Sequence, residues 1–182
     1  TPEWMPSKGE TASLPEVFNC TDFGNAKRLV SQHGDKIRYC FAWKKWLIWD
    51  GKTWHFDNNG QILRLAKDTV KLIYQEAAQI SDESQRKTIA KWAVSSESEH
   101  RLNAMVSLAK SEDGIPISPD QLDTNPHFLN CQNGTIDLKT GELKPHDKEH
   151  LITKMTPVYY RPDVPCEMWL KFLERIFDFN SD

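Results

Sequence analysis

The sequence predicts an α+β domain in which amphipathic helices pack on small antiparallel β-meander and hairpin units. Residues 37–56 contain aromatic and β-branched runs separated by short polar turns, and residues 128–138 flank an Asn-Gly hairpin signal, both of which are typical of antiparallel strands. Elsewhere, apolar residues recur at intervals of three and four, which is typical of helices with one buried face. With 182 residues, 38% of them hydrophobic, the chain can bury a real core.

The first predicted element is a short helix over residues 21–30. Thr21 or Asp22 is a suitable N-cap, because a side-chain oxygen there can accept a hydrogen bond from a backbone N–H of the first turn. The helix is expected to end at residues 33–35. The side chains predicted to face inward are Phe23, Ala26, Leu29 and Val30.

A three-stranded antiparallel meander is predicted next, over residues 37–41, 46–49 and 52–56. Asp50-Gly51 is a strong turn signal between the second and third strands. In the first strand, Ile37, Tyr39 and Phe41 alternate with Arg38 and Cys40.

The second turn of this meander reads Gly51-Lys52-Thr53, the last three residues of the phosphate-binding loop of many ATPases. That loop requires another glycine five residues earlier and a helix afterwards, whose backbone N–H groups point at the phosphates. Trp46 stands at the position of the first glycine, and a predicted strand follows Thr53. The tripeptide is therefore predicted to be a hairpin turn and not an ATP site.

Three helices are predicted over residues 61–80, 82–98 and 99–110. The first has a strong apolar face and carries Arg64, Lys67 and Lys71 on its opposite side. The apolar positions are Ile62, Leu65, Ala66, Val70, Ile73, Ala77 and Ile80 in the first helix, Ile89, Trp92 and Ala93 in the second, and Leu102, Met105, Val106 and Ala109 in the third.

A second β region begins after residues 113–116. Residues 128–131 and 135–138 flank Asn133-Gly134, which is the strongest short hairpin signal. Residues 140–142 turn the chain again, and residues 151–160 are a candidate further strand. A final helix is predicted over residues 165–177, with Trp169, Leu170, Leu173, Ile176 and Phe177 facing inward.

No catalytic, cofactor-binding or metal-binding site is predicted. Four aspartates could hold magnesium in principle, but no D-x-D or D-x-E pair places two of them on one strand face, and each stands where Asp caps a helix or starts a turn. The histidines lack metal-site spacing. The cysteines lack a C-x-x-C motif and are predicted to be reduced thiols. The aspartates are Asp22, Asp57, Asp123 and Asp137, and the cysteines are Cys20, Cys40, Cys131 and Cys166.

A nucleic-acid interface is the leading candidate site. Four of the seven tryptophans (Trp43, Trp46, Trp49 and Trp54) lie in the meander beside lysines. Aromatic side chains interleaved with lysine can stack on the bases of a single strand while the ammonium groups meet phosphates. The alternative, which the alternation of the tryptophans favours, is that they fill a small core. The candidate nucleic-acid-binding residues, here called the basic set, are Lys44, Lys45, Arg64, Lys67 and Lys71.

For the part of the basic set on the predicted helix, the sequence leaves another interpretation open. The sequence alone favours a solvated helix face, on which Arg64, Lys67 and Lys71 would form intrahelical pairs with Asp68 and Glu76. The charge distribution is also uneven. Residues 21–110 carry 15 Lys or Arg against 10 Asp or Glu, whereas residues 111–182 carry 7 against 13. This asymmetry suits either a nucleic-acid surface or two protein surfaces that meet between subunits.

Several long segments resemble the domain that precedes the superfamily 3 helicase in phage, plasmid and prophage primase-helicases, a domain type that also occurs in the poxvirus D-five-type helicase-primase. The resemblance covers about residues 20–178. The segments that carry it, in order, are TDFGNAKRLVSQHGDKIRYCFAWKKWLIWDGKTWHFD, LAKDTVKLIYQEA, KWAVSSES, LNCQNGTIDLKTGELKPHDKEHLITKMTPVYY and PDVPCEMWLKFLERIF.

The resemblance implies a non-catalytic collar or adaptor next to an AAA+ motor in DNA replication. It implies DNA, single-stranded or forked, as a partner, together with the protein's own primase and helicase domains and a homo-oligomer that is hexameric in the full-length protein. ATP and magnesium are expected only in the helicase domain. The expected domains are a linker or extended arm (1–19), the pre-helicase domain (20–178) and the start of a linker to the motor (179–182).

The sequence has no run of about 18 apolar residues and no signal-peptide pattern at its start, so a cytosolic location without a membrane partner is expected. The resemblance implies that this is the cytoplasm of a bacterial host cell. Two other functions stay open. The domain could be a protein–protein adaptor in which the acidic C-terminal third of one subunit docks on the basic middle of another. It could also be a nuclease or polymerase fragment that uses the scattered carboxylates, for which Asp137 would be the residue to test.

Overall fold

The computed structural model describes residues 18–177 and confirms the α+β class. Both sheets of this part are three-stranded and antiparallel, in the orders β1-β2-β3 and β4-β5-β6. The elements are α1 (Asp22–His33), β1 (Ile37–Cys40), β2 (Lys45–Trp49), β3 (Trp54–Phe56), α2 (Gln61–Ala78), α3 (Glu83–Ser96), α4 (Glu99–Ala109), β4 (Phe128–Cys131), β5 (Gly134–Asp137), β6 (Glu142–Lys144) and α5 (Glu167–Phe177), with short 3₁₀ turns at Pro119–Gln121 and Lys148–His150.

The described chain forms two compact units. The first holds residues 18–50 and 54–121, and the second holds residues 51–53 and 122–177. The predicted arm over residues 1–19 and the predicted linker over residues 179–182 lie outside the described residues, apart from residues 18 and 19. No helix in the described range is both long and apolar enough to cross a bilayer.

The first unit is built from α1 to α4 and the first sheet. Thr21 caps α1 as predicted, since its side-chain oxygen accepts the Gly24 N–H at 3.0 Å. The predicted faces of α2, α3 and α4 are buried or partly buried. The core members are Ala26, Leu29, Ile37, Tyr39, Trp46, Ile48, Ile62, Ala66, Val70, Leu102, Met105, Ala109 and Ile115.

Two aromatic residues differ from the predicted inward faces. Phe23 is 51% exposed, and Phe41 is 54% exposed. The predicted first strand included Phe41, but β1 ends at Cys40 and residues 41–44 form a turn. The prediction for the tryptophans is confirmed for Trp46 and Trp54, which are buried in the core of the unit.

Polar side chains inside the first unit join its helices. The guanidinium of Arg28 on α1 is buried and forms two 2.9 Å hydrogen bonds to the Glu76 carboxylate on α2. It also donates to the backbone oxygens of Phe18 and Asn19 at 2.9 and 3.0 Å. Every nitrogen of this guanidinium is therefore used in holding α1, α2 and residues 18–19 together.

A second buried polar contact links α1 to α3. Asn25 is fully buried and donates through Nδ2 to the Ser96 hydroxyl at 3.0 Å. Its Oδ1 accepts the indole N–H of Trp92 at 3.0 Å. Because both ends of the amide are satisfied, its burial carries little penalty and fixes how the two helices meet.

The N-terminus of α2 is capped from outside the helix. Gly60 precedes it in a left-handed conformation, with φ of 73°, and has no side chain to cap with. The Asp57 carboxylate takes that role by accepting the N–H groups of Gln61 at 2.8 Å and Ile62 at 2.9 Å. Partial burial acts to raise the pKa of Asp57, but these backbone donors outweigh it and hold the pKa below its usual value.

This cap makes a testable contribution to acid stability. A carboxyl whose pKa is lowered in the folded state stabilises the fold above its unfolded-state pKa, and the contribution is lost as the pH falls through the folded-state value. We expect the Asp57→Asn variant to be less stable than the wild type at pH 7. On acidification below about pH 4, the free energy of unfolding of the variant should fall less than that of the wild type. Urea unfolding at pH 7, 5 and 3 measures both effects. If the free energy of unfolding varied with pH in the same way in both proteins, the capping role of the Asp57 carboxylate would be contradicted.

The second unit is organised around a polar cluster on β4. Asn130 is buried and donates through Nδ2 to the Lys52 backbone oxygen at 2.9 Å. Its Oδ1 accepts the Thr135 hydroxyl at 3.0 Å and lies 2.8 Å from Nδ1 of His146. One amide thus connects the Gly51–Thr53 segment, β5 and the residues after β6.

The predicted hairpin between β4 and β5 is confirmed, but its turn is shifted by one residue. Cys131 pairs with Gly134, so the turn residues are Gln132 and Asn133. Gly134 has a φ of 150°, and a side chain there would meet the Lys144 backbone oxygen of β6. The glycine therefore serves the close approach of two strands rather than the turn itself.

The next turn follows the prediction closely. Gly141 has a φ of 74°, and its N–H donates to the Asp137 backbone oxygen at 2.7 Å. The Asp137 side chain accepts the Lys139 N–H at 3.0 Å, and the Thr140 hydroxyl accepts the Glu142 N–H at 3.3 Å. Both side chains thus bond to local backbone groups, which is the usual role of Asp and Thr in turns.

The prediction of a further strand over residues 151–160 is wrong, because this segment is not a strand. Two backbone hydrogen bonds join this segment to β4 and to the turn after it, from Thr156 N–H to Asn130 O at 2.8 Å and from Gln132 N–H to Val158 O at 2.9 Å, but no regular ladder forms. Instead, Asn133 holds the end of the segment, since its side chain bonds both the N–H and the carbonyl oxygen of Tyr160.

The final helix, α5, is present, but its predicted inward face is wrong. Trp169, Leu170, Ile176 and Phe177 are all more than half exposed, and Leu173 is the partly covered member of the predicted face. Residues 161–172 are exposed throughout. The apolar face of α5 is thus uncovered within the described residues.

Candidate nucleic-acid interface

The turn between β1 and β2 presents aromatic and basic side chains together. Residues 41–44 form the turn, closed by a 3.2 Å hydrogen bond from Lys44 N–H to Phe41 O. Lys44 adopts a left-handed backbone conformation with a φ of 54°, which is uncommon for residues other than glycine. Phe41 is 54% exposed and Trp43 is 41% exposed, and both flanking lysines are exposed.

Neighbouring rings support the two exposed aromatic side chains. The Phe41 ring meets Tyr39 at a centroid distance of 4.8 Å and an interplanar angle of 86°. The Trp43 ring meets Phe56 at 5.4 Å and 83°. Such edge-to-face contacts add to the packing of each ring, so the exposed rings are held in place while remaining accessible.

Two ammonium groups lie against the supporting rings. Nζ of Lys45 is 4.7 Å from the centroid of Phe56, and Nζ of Lys110 is 4.9 Å from the centroid of Tyr39. Both distances are within the range of a cation–π interaction. Lys110 thus lies beside the ring that supports Phe41, Lys45 lies beside the ring that supports Trp43, and Lys44 is exposed in the turn between them. We call this surface the aromatic–basic turn: Phe41, Trp43, Lys44, Lys45 and Lys110.

The remaining members of the basic set lie on α2. Arg64, Lys67 and Lys71 are exposed and fall on one side of the helix, as their spacing of three and four requires. Arg64 donates to the backbone oxygen of Asn59 at 2.9 Å and to its side-chain oxygen at 2.8 Å. Lys71 forms a 2.7 Å ion pair with Asp68.

The structure thus places the basic set in two groups, one on the β1–β2 turn and one on α2, both in the first unit. Of the intrahelical pairs that the sequence suggested, the pair with Asp68 is confirmed. The prediction of an intrahelical pair with Glu76 is wrong, because the Glu76 carboxylate forms an ion pair with Arg28 of α1. Two residues of the surface were missed from the sequence. Phe41 was missed because it was predicted to be part of the first strand, and Lys110 because it lies about 70 residues further along the chain.

The carboxylates considered for magnesium have separate structural roles. Asp22 pairs with Arg101 at 3.0 Å, and Asp57 caps α2. Asp123 accepts the N–H and hydroxyl of Thr153, and Asp137 closes a turn. Within residues 18–177, no three His, Cys, Asp or Glu side chains are grouped in a way that could hold a metal ion. All four cysteines are free thiols.

Comparison with known proteins identifies the family. Residues 26–178 match the profile of the family described as D5 N terminal like, which is a non-catalytic N-terminal domain associated with primase-helicases. No curated protein matches the chain. The match extends over most of the chain, includes all five helices and both sheets in whole or in part, and confirms the resemblance drawn from the sequence. The protein therefore belongs to the D5 N terminal like family.

Proposed function

We propose that this domain is a non-catalytic DNA-binding collar that supports oligomer assembly in a replicative primase-helicase, next to a superfamily 3 AAA+ motor. The observation that carries the DNA-binding part is the aromatic–basic turn. It combines exposed rings with lysines at one end of the first sheet, and aromatic side chains beside basic ones are typical of sites for single-stranded nucleic acid. The exposed basic side of α2 supplies further phosphate contacts.

Salt dependence tests the DNA-binding part. We expect a fluorescein-labelled oligothymidylate to bind the wild-type domain with an affinity that falls steeply between 50 and 200 mM salt, because bound lysines release counterions from the phosphates. Lys44→Glu/Lys45→Glu and Arg64→Glu/Lys67→Glu should each weaken binding. Each lost phosphate contact should reduce the slope of log affinity against log salt by about 0.7.

The matched control is Lys87→Glu/Lys91→Glu, which makes the same change in net charge on α3 at residues outside the basic set. This variant should keep the wild-type slope. Binding that is absent at every salt concentration, or equally weakened by the α3 control, would contradict the proposed interface. A forked substrate in the same titration shows whether a junction adds affinity to that of the single strand.

The oligomer-supporting part rests on the uncovered apolar face of α5. Large exposed apolar faces mark interaction surfaces, and we propose a second copy of α5, packed antiparallel, as the partner of this one. An antiparallel pair would set Glu167 of one helix near Arg175 of the other, which makes the charges at the ends of the pair complementary. In the full-length protein this contact would contribute to a homo-oligomer, for which we propose a hexamer.

Sedimentation of the domain over a range of concentrations tests this contact. We expect self-association in the wild type and a monomer for Trp169→Asp/Phe172→Asp, because a buried carboxylate in an apolar interface is costly. The control Lys171→Asp changes a residue on the polar side of α5 and should leave the assembly intact. A wild-type monomer at high concentration would contradict the role of α5.

A protein–protein adaptor without DNA contact is the second candidate, and the exposed apolar face of α5 favours it. In that case the domain would self-associate, or bind its own primase or motor domains, while the oligothymidylate titration stays flat. The two candidates are therefore separated by the same pair of measurements.

A further inference from the structure

We propose that the aromatic–basic turn is a base-stacking platform that selects unpaired bases, with Phe41 and Trp43 as the stacking residues and Lys110 as an additional phosphate contact. This inference rests on the proposed DNA-binding function and specifies its ligand as single-stranded DNA. Its starting point is the contrast among the aromatic residues of the meander. Trp46 and Trp54 are buried to 8% and 1% exposure, whereas the two rings on the turn remain about half exposed.

The supporting contacts leave room for a base. An edge-to-face contact occupies at most one face of each ring, and the rings at positions 41 and 43 each have one such contact. An open depression of about 330 Å³ adjoins the turn, lined by Phe41, Ala42, Pro116, Ile117, Ser118, Pro119 and Gln121. Its walls are mostly apolar, so a base that stacks on Phe41 would bury one face against them.

The cations are placed for the backbone of the same strand. Lys44 stands at the tip of the turn, and Lys45 and Lys110 lie on either side of it, held near the Phe56 and Tyr39 rings. A strand whose bases stack on the two exposed rings would bring its phosphates toward these ammonium groups. In a duplex, the base faces are already stacked on each other, so only the lysine contacts would remain.

An abasic oligonucleotide separates stacking from charge. It carries the phosphates of oligothymidylate without the bases. We expect the wild-type domain to bind oligothymidylate at least about tenfold more tightly than the abasic strand and than a duplex, given the usual contribution of one stacked base. Phe41→Ala/Trp43→Ala should bind all three ligands with similar, weak affinity and should keep the wild-type salt slope, because no phosphate contact is removed.

Two further variants complete the test. Trp43→Phe keeps an aromatic face and should retain most of the preference for bases, whereas Lys110→Ala should lower the salt slope and leave the ratio of oligothymidylate to abasic affinity unchanged. Since both aromatic side chains are on an exposed turn, circular dichroism should show that these proteins stay folded. Wild-type binding that does not distinguish oligothymidylate from the abasic strand, or that survives Phe41→Ala/Trp43→Ala, overturns the platform while leaving the collar function standing. No DNA binding by the wild type overturns both.

Discussion

Glu76→Ala is expected to lower the free energy of unfolding by about 3–5 kcal/mol, because it leaves the Arg28 guanidinium as a buried charge without its partner. The Arg28 side chain is only 1% exposed whereas that of Glu76 is 34% exposed, and the variant removes both hydrogen bonds from the guanidinium to the Glu76 carboxylate. The bonds to the backbone oxygens of residues 18 and 19 remain but carry no compensating charge. Urea unfolding followed by circular dichroism measures the loss.

The control for this experiment is an ion pair on the same helix. Lys71 and Asp68 are 2.7 Å apart, but their side chains are 74% and 51% exposed. Lys71→Ala should therefore cost less than about 1 kcal/mol. The double variant Arg28→Met/Glu76→Met should be more stable than Glu76→Ala alone, because it removes the buried charge itself. Equal losses for Glu76→Ala and Lys71→Ala would show that the buried pair has no special role.

The second large effect is expected at Gly134, where replacement by alanine meets two obstacles. The φ of 150° belongs to a region that is essentially restricted to glycine, which costs about 1–3 kcal/mol for another residue. The new methyl group would also meet the Lys144 backbone oxygen and the Leu143 side chain, and overpacking of this kind costs a further 1–3 kcal/mol or so. Because the oxygen is part of a paired strand, β6 would have to shift away from β5.

Gly141→Ala is the matched control for Gly134→Ala. Gly141 also has a positive φ, of 74°, but no atom lies within 4 Å of the position that a side chain would take. We expect this variant to cost only about 1–2 kcal/mol for the left-handed conformation. Hydrogen exchange of the β5 and β6 amides reports on the second unit directly. Faster exchange throughout both strands in Gly134→Ala, with little change in Gly141→Ala, is the expected result, and similar exchange in the two variants would contradict the close approach.

Local signals in the sequence predicted the elements well. Caps and spacing located α1 to α4 to within a few residues, and the Asp50-Gly51 and Thr140-Gly141-Glu142 sequences predicted the turns at Gly51 and Gly141. The identity of the tripeptide at residues 51–53 as a turn also followed from the sequence. These features depend on residues that are close together in the chain, so they can be predicted from the local sequence.

Features that depend on distant partners were not predictable in the same way. The amphipathic pattern of α5 identified an apolar face but not what would cover it. Glu76 was assigned to its own helix because the approach of Arg28 is a tertiary contact. Phe41 and Lys110 join one surface only because β1 ends early and the C-terminal end of α4 lies near Tyr39, neither of which the spacing of residues reveals.

The contacts of residues 18–25 bear on where this domain can be cut for expression. The family match begins at residue 26, but residues before it stabilise the first unit. Asn25 links α1 to α3 by a hydrogen bond, and Thr21 caps α1. The backbone oxygens of Phe18 and Asn19 accept hydrogen bonds from the Arg28 guanidinium. A gene fragment that starts at residue 26 would encode α1 without its N-cap. It would also lack the buried Asn25 amide and the backbone oxygens that bind Arg28. The shortest recombinant fragment with an intact first unit should start ahead of Phe18.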